Sequence, residues 1–199
     1  MKTLLRPLFL GALLLGSVAV CATPIGNDEK PDVGPNSMAQ SAADALRIYA
    51  SADGAFIHAG FLKETFSKDD LSTWLKYPTD EIMVLSLTGE QIRSAFELSV
   101  SLYPESNMSF LQISGFEVTF KKGLPSMHRV TSVSANGTPL ENGKSYSIAM
   151  PSLLAHGAVG YFRIWGKGKT TKSFPKITME DVLKGKKATE GSLRWSVQG

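Results

Sequence analysis

Three histidines, His58, His128 and His156, and a single cysteine, Cys21, bound the chemistry open to this chain. A two-metal phosphoesterase needs several Asp, Asn and His side chains to hold its ions about 4 Å apart and activate water. Three histidines do not supply that set. A Ser/His/Asp triad is open on composition alone, and no Gly-x-Ser-x-Gly elbow accompanies it. The remaining candidates suit recognition. Lys63 ends the run Ile57-His58-Ala59-Gly60-Phe61-Leu62-Lys63, Tyr161 ends Leu154-Ala155-His156-Gly157-Ala158-Val159-Gly160-Tyr161, and Tyr77 precedes Pro78. A tyrosine offers a π-face or caps the edge of a core with its hydroxyl in water. An imidazole donates or accepts a hydrogen bond. Gly157 and Gly160 need only a tight turn, whatever the function.

These residues must be positioned by elements that the sequence pattern predicts. Asn36 or Ser37 caps a helix through Tyr49, with Met38, Ala42, Ala45, Leu46 and Tyr49 on one face. Ala55 to Ile57 reads as a short buried strand that turns at His58-Ala59-Gly60, and Lys68 to Trp74 as a brief helix. Pro78 keeps Tyr77 out of helix and shapes the loop from Lys76 to Asp80. Ile82 to Leu87 is an apolar strand, buried on both faces. Thr88 and Gln91 then form a capping box for a helix that Pro104 ends.

Four β segments follow, at Leu111–Ser114, Phe116–Lys121, Val130–Ala135 and Tyr146–Met150, with Asn136-Gly137 as a type I′ hairpin turn. That turn is preferred to glycosylation as the reading of the sequon Asn136-Gly137-Thr138. A short helix or turn through Ala155, a helical turn from Thr178 to Lys184, and a return to the sheet between Gly191 and Val197 complete the pattern. The result is an α/β or α+β single domain. Asp44, Arg47, Arg93 and Glu97 fall on helices and read as solvated.

Tyr77 to Phe120 together with the turn from Leu153 to Phe162 resembles the C-terminal, substrate-binding domain of the 5'-nucleotidase family. The resemblance extends from about Gly34 to about Trp195, as expected for one domain. It implies a layered sheet-and-helix sandwich, a role in nucleotide catabolism and a hydrolase-like architecture. It also implies a separate metallophosphatase domain, whose motifs such as Asp-x-His and Gly-Asn-His-Glu do not occur here.

The family's base-recognising asparagine and phosphate-contacting arginine correspond to His58 and Lys63. Lysine keeps the charge and loses the bidentate fork. His156 stands at a family asparagine, Val159 at an aspartate, and Tyr161 at a phenylalanine that stacks on the base. Tyr77-Pro78 replaces a Pro-Phe pair in reverse order, so Tyr77 is the candidate for a second ring. Stacking on such a ring is worth about 1–3 kcal/mol per base. By the same resemblance His58 and His156 face one pocket. They would need further ligands to close a metal site, and Met150 is a weak soft candidate.

The first residues read as a targeting signal. Lys2 and Arg6 precede an apolar run from Leu8 to Val20, and Val20-Cys21-Ala22 offers a cleavage site, which makes residues 1–22 a signal peptide. The run is short for a membrane span, which needs about 20 residues. Export to the periplasm or beyond the cell follows, with lipidation of Cys21 as the rival reading. After cleavage no disulfide and no cysteine-ligated zinc site remain.

Residues 23–35 read as a flexible Pro/Gly-containing linker and residues 36–199 as the domain. Without Lys2 and Arg6, about 19 basic residues face 18 acidic ones, and no basic stripe points to nucleic acid. Lys167, Lys169, Lys172, Lys184, Lys186 and Lys187 read as solvated surface.

The expected function is therefore an exported domain that binds a nucleoside, a nucleotide or a similar flat polar small molecule between Tyr77 and Tyr161. His58, Lys63 and His156 would orient the ligand, with no cofactor and no hydrolytic centre in this chain. An accessory subunit for a separate metallophosphatase chain, and a structural or protein-interaction domain, are the alternatives.

Overall fold

The computed structural model describes residues 23–24, 30–65, 67–166, 169–189, 191 and 194–199. The signal-peptide reading, with Cys21, lies outside the described residues. In chain order the elements are β1 (Thr23–Pro24), α1 (Ser37–Ala50), β2 (Gly54–His58), β3 (Glu81–Thr88), α2 (Gly89–Ser99), β4 (Leu111–Ser114), β5 (Phe116–Lys121), β6 (Val130–Ala135), β7 (Thr138–Pro139), β8 (Ser145–Pro151), α3 (Ser152–Ala155), β9 (Lys169–Thr178), α4 (Met179–Leu183) and β10 (Trp195–Gln198). Short 3₁₀ turns at Ala59–Phe61, Leu71–Trp74 and Ala158–Arg163 lie between them.

The strands form two mixed sheets, ordered β1-β10-β5-β6-β7 and β4-β2-β8-β3-β9. β2 runs parallel to β8 and β10 parallel to β5, while the other neighbours are antiparallel. Side chains alternate across the second sheet as the pleat requires. Phe56, Leu85, Leu87, Ile148 and Met150 join a core shared with α2 and the first sheet. Ala55, Ile57, Ile82, Val84 and Ala149 face α1 and α4. Phe96 of α2 sits at the centre of the shared core, with ring centroids 5.5 Å from Phe56, 5.7 Å from Phe116 and 5.4 Å from Trp195. The chain is thus a mixed α/β domain in layers.

Local signals act as the sequence predicts at several points. The Asn36 side chain accepts from the Met38 and Ala39 amides, both at 3.1 Å, and starts α1. Gln91 N–H donates to Thr88 Oγ1 at 3.3 Å while Thr88 N–H donates to Gln91 Oε1 at 3.0 Å, which closes the capping box of α2. Asn136 and Gly137 take positive φ, 49° and 78°, in the turn between β6 and β7.

Other expectations need correction. The buried stripe of α1 is Ala39, Ala42, Ala43, Leu46 and Ala50, because small side chains let the helix lie close to β2 and β4; Tyr49 instead packs on Phe174 of β9 at 5.5 Å. α2 ends at Ser99, a turn before Pro104. Its last carbonyls, Leu98 O and Ser99 O, accept from the Asn107 side chain at 3.1 and 2.8 Å.

Glu97 is not solvated. It is buried, and its carboxylate accepts from the Arg129 and Val130 amides at 2.8 and 2.9 Å. Asp44 forms a two-oxygen ion pair with Arg194 at 2.7 and 2.8 Å, and Arg47 donates to Ser114 Oγ at 2.8 Å. The stretch read as a flexible linker is tied to the domain where it is described. β1 pairs with β10, Asn107 N–H donates to Asp32 O at 2.6 Å, and the Gln112 side chain donates to Pro31 O and Gly34 O. The polar run around Lys172 is β9, a ten-residue edge strand along β3. Among the described residues no helix is long and apolar enough to cross a membrane.

Candidate functional site

β2 delivers His58 to the first glycine turn. There the chain reverses through a 3₁₀ turn, with Ala59 N–H donating to Phe110 O at 2.8 Å and Gly60 N–H to Met108 O at 3.0 Å. The His58 side chain is only 4% exposed, and among the described residues neither ring nitrogen has a hydrogen-bond partner of ordinary geometry. The nearest backbone acceptor is the Met108 carbonyl, which also accepts from Gly60 N–H. Burial drives the imidazole pKa down to about 4; the Met108 backbone opposes this, and the charge of Lys76 adds a smaller lowering. His58 is therefore a neutral ring with an unused donor and an unused acceptor, a costly state inside a protein.

The ring packs edge-on against Phe61, centroids 5.9 Å apart, and Phe61 in turn meets Tyr77 at 5.6 Å. Tyr77 is 49% exposed, so one of its faces is open to solvent. Lys63 is exposed, its ammonium 3.4 Å from Thr73 O. A cleft of about 40 Å³ between Asp32, Ala59, Lys63, Glu64, Lys76 and Met108 borders the turn, with neither His58 nor Tyr77 among its described lining.

The loop that carries Tyr77 continues to Asp80, which caps α3. Asp80 Oδ1 accepts from the Ser152 hydroxyl and Asp80 Oδ2 accepts from Leu153 N–H at 3.1 Å. His156 ends α3 in solvent, its Nδ1 2.7 Å from the carbonyl of Ser152. Asp80, Ser152 and His156 are thus neighbours without forming a triad: the serine hydroxyl points at the carboxylate, and the imidazole meets the serine backbone. Among the described residues no group of three His, Cys, Asp or Glu side chains converges on a metal position.

The second glycine turn runs the other way. Gly157, Val159 and Gly160 take φ of 91°, 48° and 95°, and these reversals swing Tyr161 inward. The Tyr161 ring is fully buried, stacked on Trp165 with centroids 4.6 Å apart and planes 11° apart. Its hydroxyl donates to Ser109 O at 2.6 Å, and burial raises its pKa well above the usual tyrosine value. The expectation that Tyr161 presents a face for base stacking is corrected here, because Trp165 and the shared core occupy its surface. Replacing it with alanine would damage the fold.

The residue that this turn exposes is the next one, Phe162, at 57%. Alternating φ sign hides that inversion from a reading of residue types. Sequence reading also passed over the segment from Asn107 to Phe110, which joins the two turns. It accepts from Ala59, Gly60 and Tyr161, and Ser109 Oγ donates to Val159 O at 2.7 Å. Its one legible signal is Asn107, a residue suited to local turns and helix ends.

A model of the 5'-nucleotidase, C-terminal domain, matches residues 18–165. The snake venom 5'-nucleotidase of Naja atra is 32% identical over 98 residues, which cover 45% of this chain and 18% of that protein. The 5'-nucleotidase of Mus musculus is 33% identical over 86 residues, which cover 39% of this chain and 15% of that protein. The chain thus aligns with less than a fifth of the length of these curated relatives. In fold it is similar to the 5'-nucleotidase precursor from Thermus thermophilus, with a TM-score of 0.72 over 90% of this chain and 39% of that one at 18% identity. The NAD nucleotidase of Haemophilus influenzae superposes with a TM-score of 0.57 over 89% and 37% at 13% identity. Layered sheets, the two glycine turns and the matched segment lead to one conclusion: the chain belongs to the 5'-nucleotidase C-terminal domain family.

Proposed function

We propose that this chain recognises a nucleoside or nucleotide on an open face around His58, Lys63 and Tyr77 and leaves hydrolysis to a metal-bearing partner. The observation that carries the reading is the half-exposed ring of Tyr77, linked through Phe61 to the buried imidazole of His58. The π-face of Tyr77 suits a flat heterocycle, an opening of the turn at Ala59-Gly60 would add the donor and acceptor of His58, and Lys63 and Lys76 in the cleft lining suit a phosphate. Hydrolysis would draw on several metal ligands that three histidines do not supply. Export, supported by the basic and apolar start of the chain, would place it with extracellular or periplasmic nucleotide catabolism.

The size of the cleft favours a shared site. A small molecule is ordinarily enclosed in about 300–1,000 Å³, against about 40 Å³ here. A second body, a metallophosphatase domain on another chain, would close over the ligand. Calorimetric titration of the purified protein with adenosine and AMP, alone and with an exported metallophosphatase domain, tests this. The expected result is weak AMP binding alone, tightened by the partner and lost in Tyr77→Ala. Absence of saturation under both conditions would leave an interaction role in its place.

A further inference from the structure

We propose a second ligand site in this domain, for an amphipathic monoanion: an apolar body carrying one carboxylate, sulfonate or phosphate. Independent of the nucleotide reading, it rests on a groove of about 290 Å³ lined by Leu98, Met127, Gly160, Phe162, Arg163 and Ile164. Phe162 and Met127 are 57% and 45% exposed on its walls. Exposed apolar side chains that converge on one concave surface mark a binding site more than scattered ones do.

The groove is preformed. On one side Phe162 N–H donates to Gly157 O at 3.0 Å, and its Cα lies 2.5 Å from where a Cβ on residue 157 would stand. Only glycine therefore lets this backbone close and point Phe162 outward. On the other side the loop bearing Met127 is fastened to the end of α2 by Arg129, whose guanidinium donates to Val100 O at 2.7 Å, Tyr103 O at 2.8 Å and Leu124 O at 3.1 Å. Leu98 of α2 forms the floor, near Gly160.

Charge selects the occupant. Arg163 is the one ionisable side chain among the described residues of the lining, and none of them is acidic. Its guanidinium lies 5.5 Å from the Phe162 ring centroid, and among the described residues it has no carboxylate partner. A guanidinium stacked at the rim of an apolar groove matches a ligand whose apolar part enters and whose anionic group stays at the mouth.

The test is fluorescence titration of the purified protein with 1-anilinonaphthalene-8-sulfonate, an aromatic monoanion. Saturable binding at one equivalent is expected. Phe162→Ala and Arg163→Gln should each weaken it about tenfold, equivalent to about 1.4 kcal/mol, and Arg163→Gln should also remove its salt dependence. Ile48→Ala, at an exposed apolar residue on α1, controls for general surface binding and should change nothing. Displacement by 2-naphthoate would assign an aromatic body and displacement by dodecanoate an acyl chain. Unsaturable binding, equal loss in Ile48→Ala, or displacement by neither competitor would overturn the proposal.

Discussion

The two glycine turns look alike in sequence and do opposite things. At the first, His58 is drawn under the surface with its nitrogens unsatisfied, and Tyr77 stays open above Phe61. At the second, the aromatic residue after the glycine is swallowed by the core with its hydroxyl satisfied, and its neighbour Phe162 is put outside. Both turns hang from the same segment, Asn107 to Phe110. The difference lies in backbone sign. The first turn keeps ordinary φ through the 3₁₀ turn, whereas the second reverses at Gly157, Val159 and Gly160. Polar desolvation at one turn and apolar exposure at the other are the features on which the two proposed binding surfaces rest.

The contrast can be broken most directly at the aromatic residues. Tyr161→Ala should cost about 3–5 kcal/mol in chemical denaturation, as for other large buried rings. Tyr77→Ala should stay within about 0.5 kcal/mol, as a surface substitution does. Equal costs would erase the distinction between the turns.

His58 gives the next largest effect. Its folded pKa of about 4 lies below the ordinary value of 6.5, so the unfolded chain takes up the proton first as pH falls. Its stabilising contribution is complete above about pH 6.5 and is lost down to about pH 4, a change of up to about 3 kcal/mol. Melting temperature measured across that range should fall in the native protein and flatten in His58→Gln. A native profile that is already flat would mean that the imidazole is not desolvated.

Gly157→Ala should cost about 1–3 kcal/mol, from the left-handed backbone and the clash with Phe162. Urea unfolding would show it, and the same variant should lose the sulfonate-binding groove. Tyr161→Phe, which removes only the hydrogen bond to Ser109 O, should cost about 1 kcal/mol and leave the groove intact.

The sequence made the frame readable where a local signal has one physical outcome. Thr88 and Gln91 cap α2, Asn136-Gly137 turns the hairpin, and alternation over Phe116, Val118 and Phe120 marks β5. β9 escaped because Lys172, Ser173 and Pro175 carry no alternation; the strand exists because β3 offers it a partner over residues 81 to 86. Glu97 looked solvated because a carboxylate on a helix usually is, and only the tertiary approach of Arg129 and Val130 explains its burial. At the site, the turns were legible from glycine, but the side on which each ring falls was not. That choice is made by contacts with Ser109 and Trp165, which are 52 residues before Tyr161 and four after it.

β10 carries a consequence for how this chain comes to be folded at all. It lies between β1 and β5 rather than at an edge, and Trp195 fills the space among Phe96, Phe110 and Phe120. Without residues 195–198 the first sheet lacks an inner strand and the shared core lacks one of its two tryptophans. Loss of residues 195–198 is therefore expected to leave the first sheet open and the shared core unfilled, so that closure of the domain depends on docking of β10.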